Sequence, residues 1–345
     1  MRFHWLVGVF LAVSGAAGAA EPAYALLDLG PAAEQAAGLN DAGQTVFIGD
    51  GGVVRYADGR GAETIASGYR RPILGGINGS GQVSFAEAGY GLAHVFRFSD
   101  GAGAVEIGEA GVPLEGGMSV TRPNARGDVA YGGLGVVNCY TDDGARGIIS
   151  ENPWMDIAFV NGINDAGTVV YALTSSYAGY NHLASTGAWN WRSGPVDISP
   201  IDWGSAINNR GDVAGGIGYE AAIRMTDGTT IAIGRHGFPR ALNDHGMAVG
   251  AAYLAYAPDG GEADGGAWVF DGIEARDLAG MLDPSLGWSL LSATDINAAG
   301  QIAGTGFVNG QRRAFRLTPV NSVPEPGSLA LLAVAGLPLL VRRRR

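Results

Sequence analysis

The stretch Ile207-Asn208-Asn209-Arg210-Gly211-Asp212-Val213 decides the fold, because it recurs along the chain. Its pattern is an apolar residue, Asn, two variable residues, Gly, and then an alternating apolar run. The same pattern stands at Leu39-Asn40-Asp41-Ala42-Gly43, Ile77-Asn78-Gly79-Ser80-Gly81 and Asn124-Ala125-Arg126-Gly127. It returns at Ile163-Asn164-Asp165-Ala166-Gly167, Leu242-Asn243-Asp244-His245-Gly246 and Ile296-Asn297-Ala298-Ala299-Gly300. Asn40 and Asn297 lie 257 residues apart. The mean period is therefore about 43 residues, the length of a four-stranded propeller blade.

The Asn-x-x-Gly spacing predicts a hairpin turn. Asn at the first position of a type I turn bonds the backbone two residues on. Gly at the fourth supplies the positive φ of a three-residue hairpin with a bulge. Asn40, Gly43, Asn78, Gly81, Asn124, Gly127, Asn164, Gly167, Asn208, Gly211, Asn243, Gly246, Asn297 and Gly300 are thus expected to be structural. No calcium-loop pattern accompanies them.

Working outward, each unit continues with a second strand and then a third that ends in a tight turn. Examples are Val53-Val54-Arg55-Tyr56-Ala57-Asp58-Gly59, Val95-Phe96-Arg97-Phe98-Ser99-Asp100-Gly101 and Ala222-Ile223-Arg224-Met225-Thr226-Asp227-Gly228. Alternation followed by Asp-Gly is the strand-and-hairpin signature. A short fourth strand follows, as at Val105–Gly108 and Ile231–Gly234. The fourth unit is the least regular, around Ile148–Phe159. The last unit stops at Pro319 without a fourth strand, and the chain before the first unit opens with an unpartnered strand, Tyr24–Gly30. The expected fold is all-β: a seven-bladed β-propeller of four-stranded blades over residues 21–319, its ring closed by the N-terminal strand. Closure removes the open sheet edges that template aggregation. A linear β-solenoid is the alternative, and it has no use for this complementarity.

Composition agrees with a turn-rich, packed body. Glycine accounts for 58 of 345 residues, and 47% of the chain is hydrophobic against 16% charged. There is no lysine, which excludes Schiff-base and P-loop lysine chemistry. A net charge of −11 argues against nucleic acid as a partner and repels anionic polymers at long range. The single Cys139 excludes an internal disulfide and a cysteine zinc cluster.

Both ends read as addresses. Residues 1–20 combine Arg2, the apolar run Trp5–Val13 and a small-residue stretch to Ala20, the signature of a cleaved signal peptide with a helical apolar segment. Residues 320–345 hold Pro324-Glu325-Pro326, a short transmembrane run Leu329–Val341, and Arg342, Arg343, Arg344 and Arg345. Arginines at both ends remain cytoplasmic, so the body lies outside the inner membrane.

The C-terminal order of Pro-Glu-Pro, apolar helix and basic cluster resembles the PEP-CTERM sorting signal. That resemblance implies processing by an exosortase, a membrane protease and transferase of Gram-negative bacteria that make exopolysaccharide. The repeats resemble the HAF family of extracellular repeats, through the Ile-Asn-x-x-Gly-Gln-Val core, the aromatic third strand and Asp28-Leu29-Gly30. The namesake His-Ala-Phe is degraded here to His94-Val95-Phe96 and Arg313-Ala314-Phe315. The resemblance implies a secreted bacterial protein and brings no catalytic residues.

Residue chemistry adds little. His94, His182, His236 and His245 stand in no His-x-x-x-His or His-Glu-x-x-His arrangement, and no G-x-S-x-G elbow exists. No cofactor, metal site or catalytic residue is expected. A binding face is expected where the second-to-third loops and the connectors between units meet. Three long loops, Gly133–Ala145, Thr174–Thr186 and Tyr253–Gly265, bring Tyr140, Tyr177, Tyr180, Tyr253 and Tyr256, and the connectors bring Trp203 and Trp288. Exposed aromatics beside polar groups suit a sugar polymer. The same rings would otherwise shore up the loops, and Trp189, Trp191 and Trp268 are expected in the core. The expected function is an exported, exosortase-sorted, non-enzymatic surface or matrix protein with exopolysaccharide as a candidate ligand. Before processing it would be anchored in the inner membrane. The alternative is a propeller enzyme, a glycosidase or lyase acting on polysaccharide.

Overall fold

A computed structural model describes residues 23–33, 37–112, 118–141, 144–150, 156–177, 180–253 and 264–320. The expected signal segment, Tyr256, and the sorting residues Pro324, Glu325, Pro326 and Arg342 to Arg345 lie outside them. Among the described residues no helix is long and apolar enough to cross a membrane.

The fold is all-β. Strand β1 (Tyr24–Pro31) precedes the repeats. Strands β2 (Ala37–Leu39), β3 (Thr45–Gly49), β4 (Gly52–Ala57) and β5 (Gly61–Ala66) then form an antiparallel sheet in sequence order. The second sheet is β6 (Pro72–Ile77), β7 (Val83–Ala88), β8 (Leu92–Ser99) and β9 (Gly103–Gly111). The third is β10 (Ser119–Val120), β11 (Val129–Gly132), β12 (Val136–Thr141) and β13 (Gly144–Ser150). The fourth is β14 (Asp156–Ile163), β15 (Thr168–Tyr177), β16 (Tyr180–Asn190) and β17 (Gly194–Val196).

Next come β18 (Trp203–Ile207), β19 (Val213–Ile217), β20 (Glu220–Arg224), β21 (Thr230–Leu242), β22 (Ala248–Tyr253), β23 (Asp264–Phe270) and β24 (Ala275–Asp277). These join as one seven-stranded sheet because β21 serves twice. Its first part, Thr230 to His236, pairs with β20, and its second part, from Gly237, pairs with β22. The last sheet is β25 (Ser289–Ile296), β26 (Ile302–Val308) and β27 (Gln311–Pro319), and β1 is its fourth strand. Tyr24 lies opposite Pro319 and Asp28 opposite Phe315, with the Arg313 guanidinium 2.8 Å from the Asp28 carboxylate.

Second strands are buried on both faces, as β3 and β11 are along their whole length. They read as apolar runs because sheets pack against them from either side. Val46, Ile48 and Val53 of the first sheet meet Ile77, Val83 and Phe85 of the second. Ala130, Val137 and Cys139 of the third meet Ala158, Val160 and Leu173 of the fourth. Leu29 of β1 with Ala303 and Ala314 of the last sheet packs on Leu39 and Phe47 of the first. Close approach of neighbouring sheets also dictates residue size: a Cβ on Gly75 would lie 2.6 Å from the Thr121 carbonyl oxygen.

The recurring asparagines do more than make turns. In every unit the Asn main-chain N–H donates to the carbonyl four residues on, and the Gly N–H donates back to the Asn carbonyl. Gly167 sits at φ +87°, where a Cβ would strike the Trp191 ring at 2.5 Å. The Asn Oδ1 accepts an N–H from four residues on in each unit, from Gln44 (3.0 Å) to Gln301 (2.9 Å). It accepts from two residues on as well at Ser80, Arg126 and His245. The Nδ2 of Asn40, Asn78, Asn124, Asn208 and Asn297 donates to the side chain four residues on, and each relay Nδ2 also reaches out of its own unit. It donates to the main-chain carbonyl of the next asparagine: Asn40 to Asn78, Asn78 to Asn124, Asn124 to Asn164 and Asn164 to Asn208. Asn208 then donates to Asn243, Asn243 to Asn297, and Asn297 to Asn40 at 3.1 Å. The relay returns to its start.

Third-strand arginines reinforce the same end. Arg97 Nη1 donates to the Gly127 carbonyl and Arg316 Nη1 to the Gly43 carbonyl, both at 2.6 Å. Arg55 and Arg316 also pair with Asp100 and Asp58, each in the next sheet's third-to-fourth-strand turn.

Three expectations need correction. The segment 133–145 is not a loop: Val136–Thr141 is the third strand, so Tyr140 pairs across to Val129 near the Asn turn, and Arg97 lies over its ring at 5.2 Å. Clustered glycines at Gly132, Gly133 and Gly135 imitate a long loop but make a tight turn. Thr174–Thr186 is also mostly strand, the outer half of the β15–β16 hairpin. Of the tryptophans expected in the core, Trp268 is fully buried, whereas Trp189 and Trp191 are half-buried.

Asn208 is 1% exposed, and replacing it tests the relay. Asn208→Asp removes the donor to Asn243 and sets a second carboxylate beside Asp212. Urea denaturation should show a loss of about 2–4 kcal/mol, and Asn208→Ala a loss of similar size. The Cys139 thiol, 1% exposed, is pushed up to about 12 by burial. Only the thiolate reacts, so at pH 8 about one thiol in ten thousand is competent. Ellman's reagent should leave the native chain unlabelled and label it fully in urea.

Candidate functional site

The first strands β2, β6, β10, β14, β18, β21 and β25 all contribute to the wall of one cavity of about 160 Å³. A second cavity, of about 180 Å³, lies among the Asn turns. The inner cavity carries Arg122, Arg240 and Asp295. Asp295 accepts the N–H groups of Leu39 (2.8 Å) and Ile296 (2.9 Å), and the Arg122 guanidinium stands 3.7 Å away. Burial pushes its carboxyl above the usual carboxylate range, against the pull of Arg122 and the two N–H groups. Asp295 therefore ties the last sheet to the first. It is the one carboxylate among the described residues of this cavity, whereas acid–base cleavage of a glycoside takes two.

The outer cavity holds Asp41, Asp165 and Asp244, each the residue after a relay asparagine. Their carboxylates accept N–H groups from Ala298, Ala125 and Asn209 at 2.7–2.8 Å. These acids staple one turn to the next, and Asp244 uses its second oxygen as well, accepting from Asn209 Nδ2 at 3.3 Å.

The opposite end is formed by the second-to-third-strand turns and the connectors. Its exposed aromatics are ones that loop length did not reveal. Tyr90, in the β7–β8 turn, is 92% exposed, and Tyr219, in the β19–β20 turn, is 86% exposed. Phe307 marks the same turn of the last sheet, with Arg312 above its ring. Gly89, Gly91 and Gly218 beside the two tyrosines are the available signal: a lone aromatic in a glycine turn has no core to enter. Tyr177 and Tyr180 face each other across the tip of the β15–β16 hairpin, and Tyr253 lies opposite Asp264 at the end of β22, on the same side of the fold. The connector tryptophans are packing residues. Trp203 lies 6.1 Å from the Phe238 ring, and Trp288 meets Phe315 edge-on at 6.0 Å. Tyr140 thus lies at the other end from the expected face, and Tyr90, Tyr219 and Phe307 stand among its turns.

Among the described residues, one His–carboxylate group has converging ligand atoms: His94, Glu106 and Glu109 on β8 and β9.

No protein-family model matches the sequence, and no curated protein is similar to it in sequence. Solved structures similar to it include a streptogramin B lyase, at 11% identity and TM-score 0.47, covering 86% of this chain and 98% of that one. A catalytically inactive virginiamycin B lyase from Staphylococcus aureus with quinupristin is 12% identical, TM-score 0.47, covering 86% and 100%. A gluconolactonase from Xanthomonas campestris is 11% identical, TM-score 0.41, covering 86% and 90%.

Proposed function

We propose that this chain is an exported, exosortase-sorted surface or matrix protein whose body is a seven-bladed propeller closed by β1. Its second-to-third-turn end binds a glycan polymer without cleaving it. Ring closure is supported by the relay that runs from Asn297 back to Asn40 and by the packing of the last sheet on the first. Binding rests on one observation: Tyr90 and Tyr219 stand almost wholly in solvent on one side of the fold. An exposed ring on a glycine turn contributes little to stability, but its face fits the C–H face of a sugar and its hydroxyl the polar edge. Several weak contacts along one polymer add through effective concentration. The net charge of −11 favours a neutral polymer over a uronate-rich one.

The enzymatic reading draws on Asp41, Asp165 and Asp244 around the outer cavity. One experiment separates the two. Neutral exopolysaccharide is titrated with the chain, and polymer length is followed in the same samples. Tyr90→Ala with Tyr219→Ala should weaken binding about tenfold or more. Ile273→Ala, an exposed apolar residue in a turn at the other end, should change nothing. Unchanged binding in the tyrosine double variant would sink the glycan face. Shortening of the polymer that Asp41→Asn or Asp165→Asn abolishes would establish the enzyme instead.

Sorting has its own test. Proline disfavours helix at the residue before it, so a Pro-Glu-Pro segment would suit recognition by a protease outside the membrane. Replacing Pro324, Glu325 and Pro326 by alanine should leave export intact and stop processing in an exosortase-bearing host. Intact-mass analysis should then find Arg342–Arg345 retained on the membrane-held variant and absent from wild-type surface protein.

A further inference from the structure

His94 lies on the exposed side of the second sheet, opposite Glu87 on β7 and opposite Glu109 on β9. Side chains alternate along a strand, so Glu106 and Glu109, three apart, should point to opposite faces. They do not, because β9 carries a bulge. The register steps from Val95 opposite Gly108 to Phe96 opposite Glu106, leaving Ile107 as the extra residue. Ile107 and Ala110 are buried on the inner side, and Glu106 and Glu109 emerge together beside His94. His94 Nδ1 is 2.8 Å from Glu106 Oε1 and 3.4 Å from Glu109 Oε1, and the ligand atoms of the three residues all lie within 4.8 Å of one another.

We propose that His94, Glu106 and Glu109 form a divalent transition-metal site, with Zn²⁺ the ion of best match. One imidazole nitrogen with two carboxylate oxygens suits a borderline ion, and the exposed position leaves coordination places for water. Glu106 and Glu109 place two carboxylates on this patch and Glu87 adds a third, so a dication neutralises a cluster of like charges. A paired strand and its bulge hold the donors in place without a ligand. The site stands on the third and fourth strands, apart from the residues lining both cavities and two residues beyond the start of β8, next to the turn that carries Tyr90.

Calorimetric titration of the full chain with ZnCl₂ tests this, with MgCl₂ as the control ion. Zinc should bind with saturation at one site that His94→Ala, Glu106→Gln and Glu109→Gln each weaken about tenfold or more. His236→Ala, which removes a separate His–Glu pair, should leave that affinity unchanged. Zinc should raise the melting temperature of wild type and not that of the three variants, whose metal-free melting should match wild type. Absence of saturable zinc binding, or equal affinity in wild type and all three variants, would overturn the assignment.

Discussion

A buried primary amide whose second N–H hydrogen finds its acceptor only in the next repeat organises this molecule. Each relay asparagine is 1–6% exposed. Its oxygen accepts locally, and its Nδ2, with two hydrogens, donates one to a carbonyl in the next repeat beside any local bond such as Asn208 to Asp212. Leaving a buried donor unpaired costs about 1–3 kcal/mol, so every repeat is most stable when its neighbour is present. A linear stack would leave one end of such a relay open. Here Asn297 donates to Asn40, and the dependence passes through the whole body.

That constraint divides the labour between the two ends of the fold. At the Asn-turn end, Arg97 and Arg316 cap glycine carbonyls, Asp58 and Asp100 hold arginines of the adjoining sheets, and Asp41, Asp165 and Asp244 take turn N–H groups. Polar chemistry there is largely spent on holding sheets together. The other end is made of turns that no relay needs, so their residues are free to serve a ligand. This is the usual division between a rigid scaffold and the loops it positions. Tyr90 and Tyr219 stand in those turns. His94 stands near the same turns, at the start of β8, where a bulge in β9 sets Glu106 and Glu109 beside it.

Local chemistry made much of this legible. Two-residue alternation, Asp-Gly turns and the Asn-x-x-Gly spacing act over a few residues, so they mark strands and turns directly in the sequence. The unpartnered strand at Tyr24 and the missing strand after Pro319 are likewise visible as a mismatch, and the structure pairs them. Tyr140 was misplaced because Gly132, Gly133 and Gly135 look alike whether a loop is long or a turn is tight. Trp203 and Trp288 looked free because their partners, Phe238 and Phe315, lie dozens of residues away or on another strand.

The sequence by itself determined the repeat, the strand order within it and the turn at each asparagine, because hydrophobic period and turn geometry are local properties. Only the tertiary structure decided where each Asn Nδ2 goes, since its acceptor lies between 35 and 54 residues onward, or 257 residues back across the junction. It alone decided that Asp295 is a tie between the last sheet and the first. It alone set Glu106 and Glu109 on one face, because a one-residue slip in register reverses the side on which every following side chain emerges.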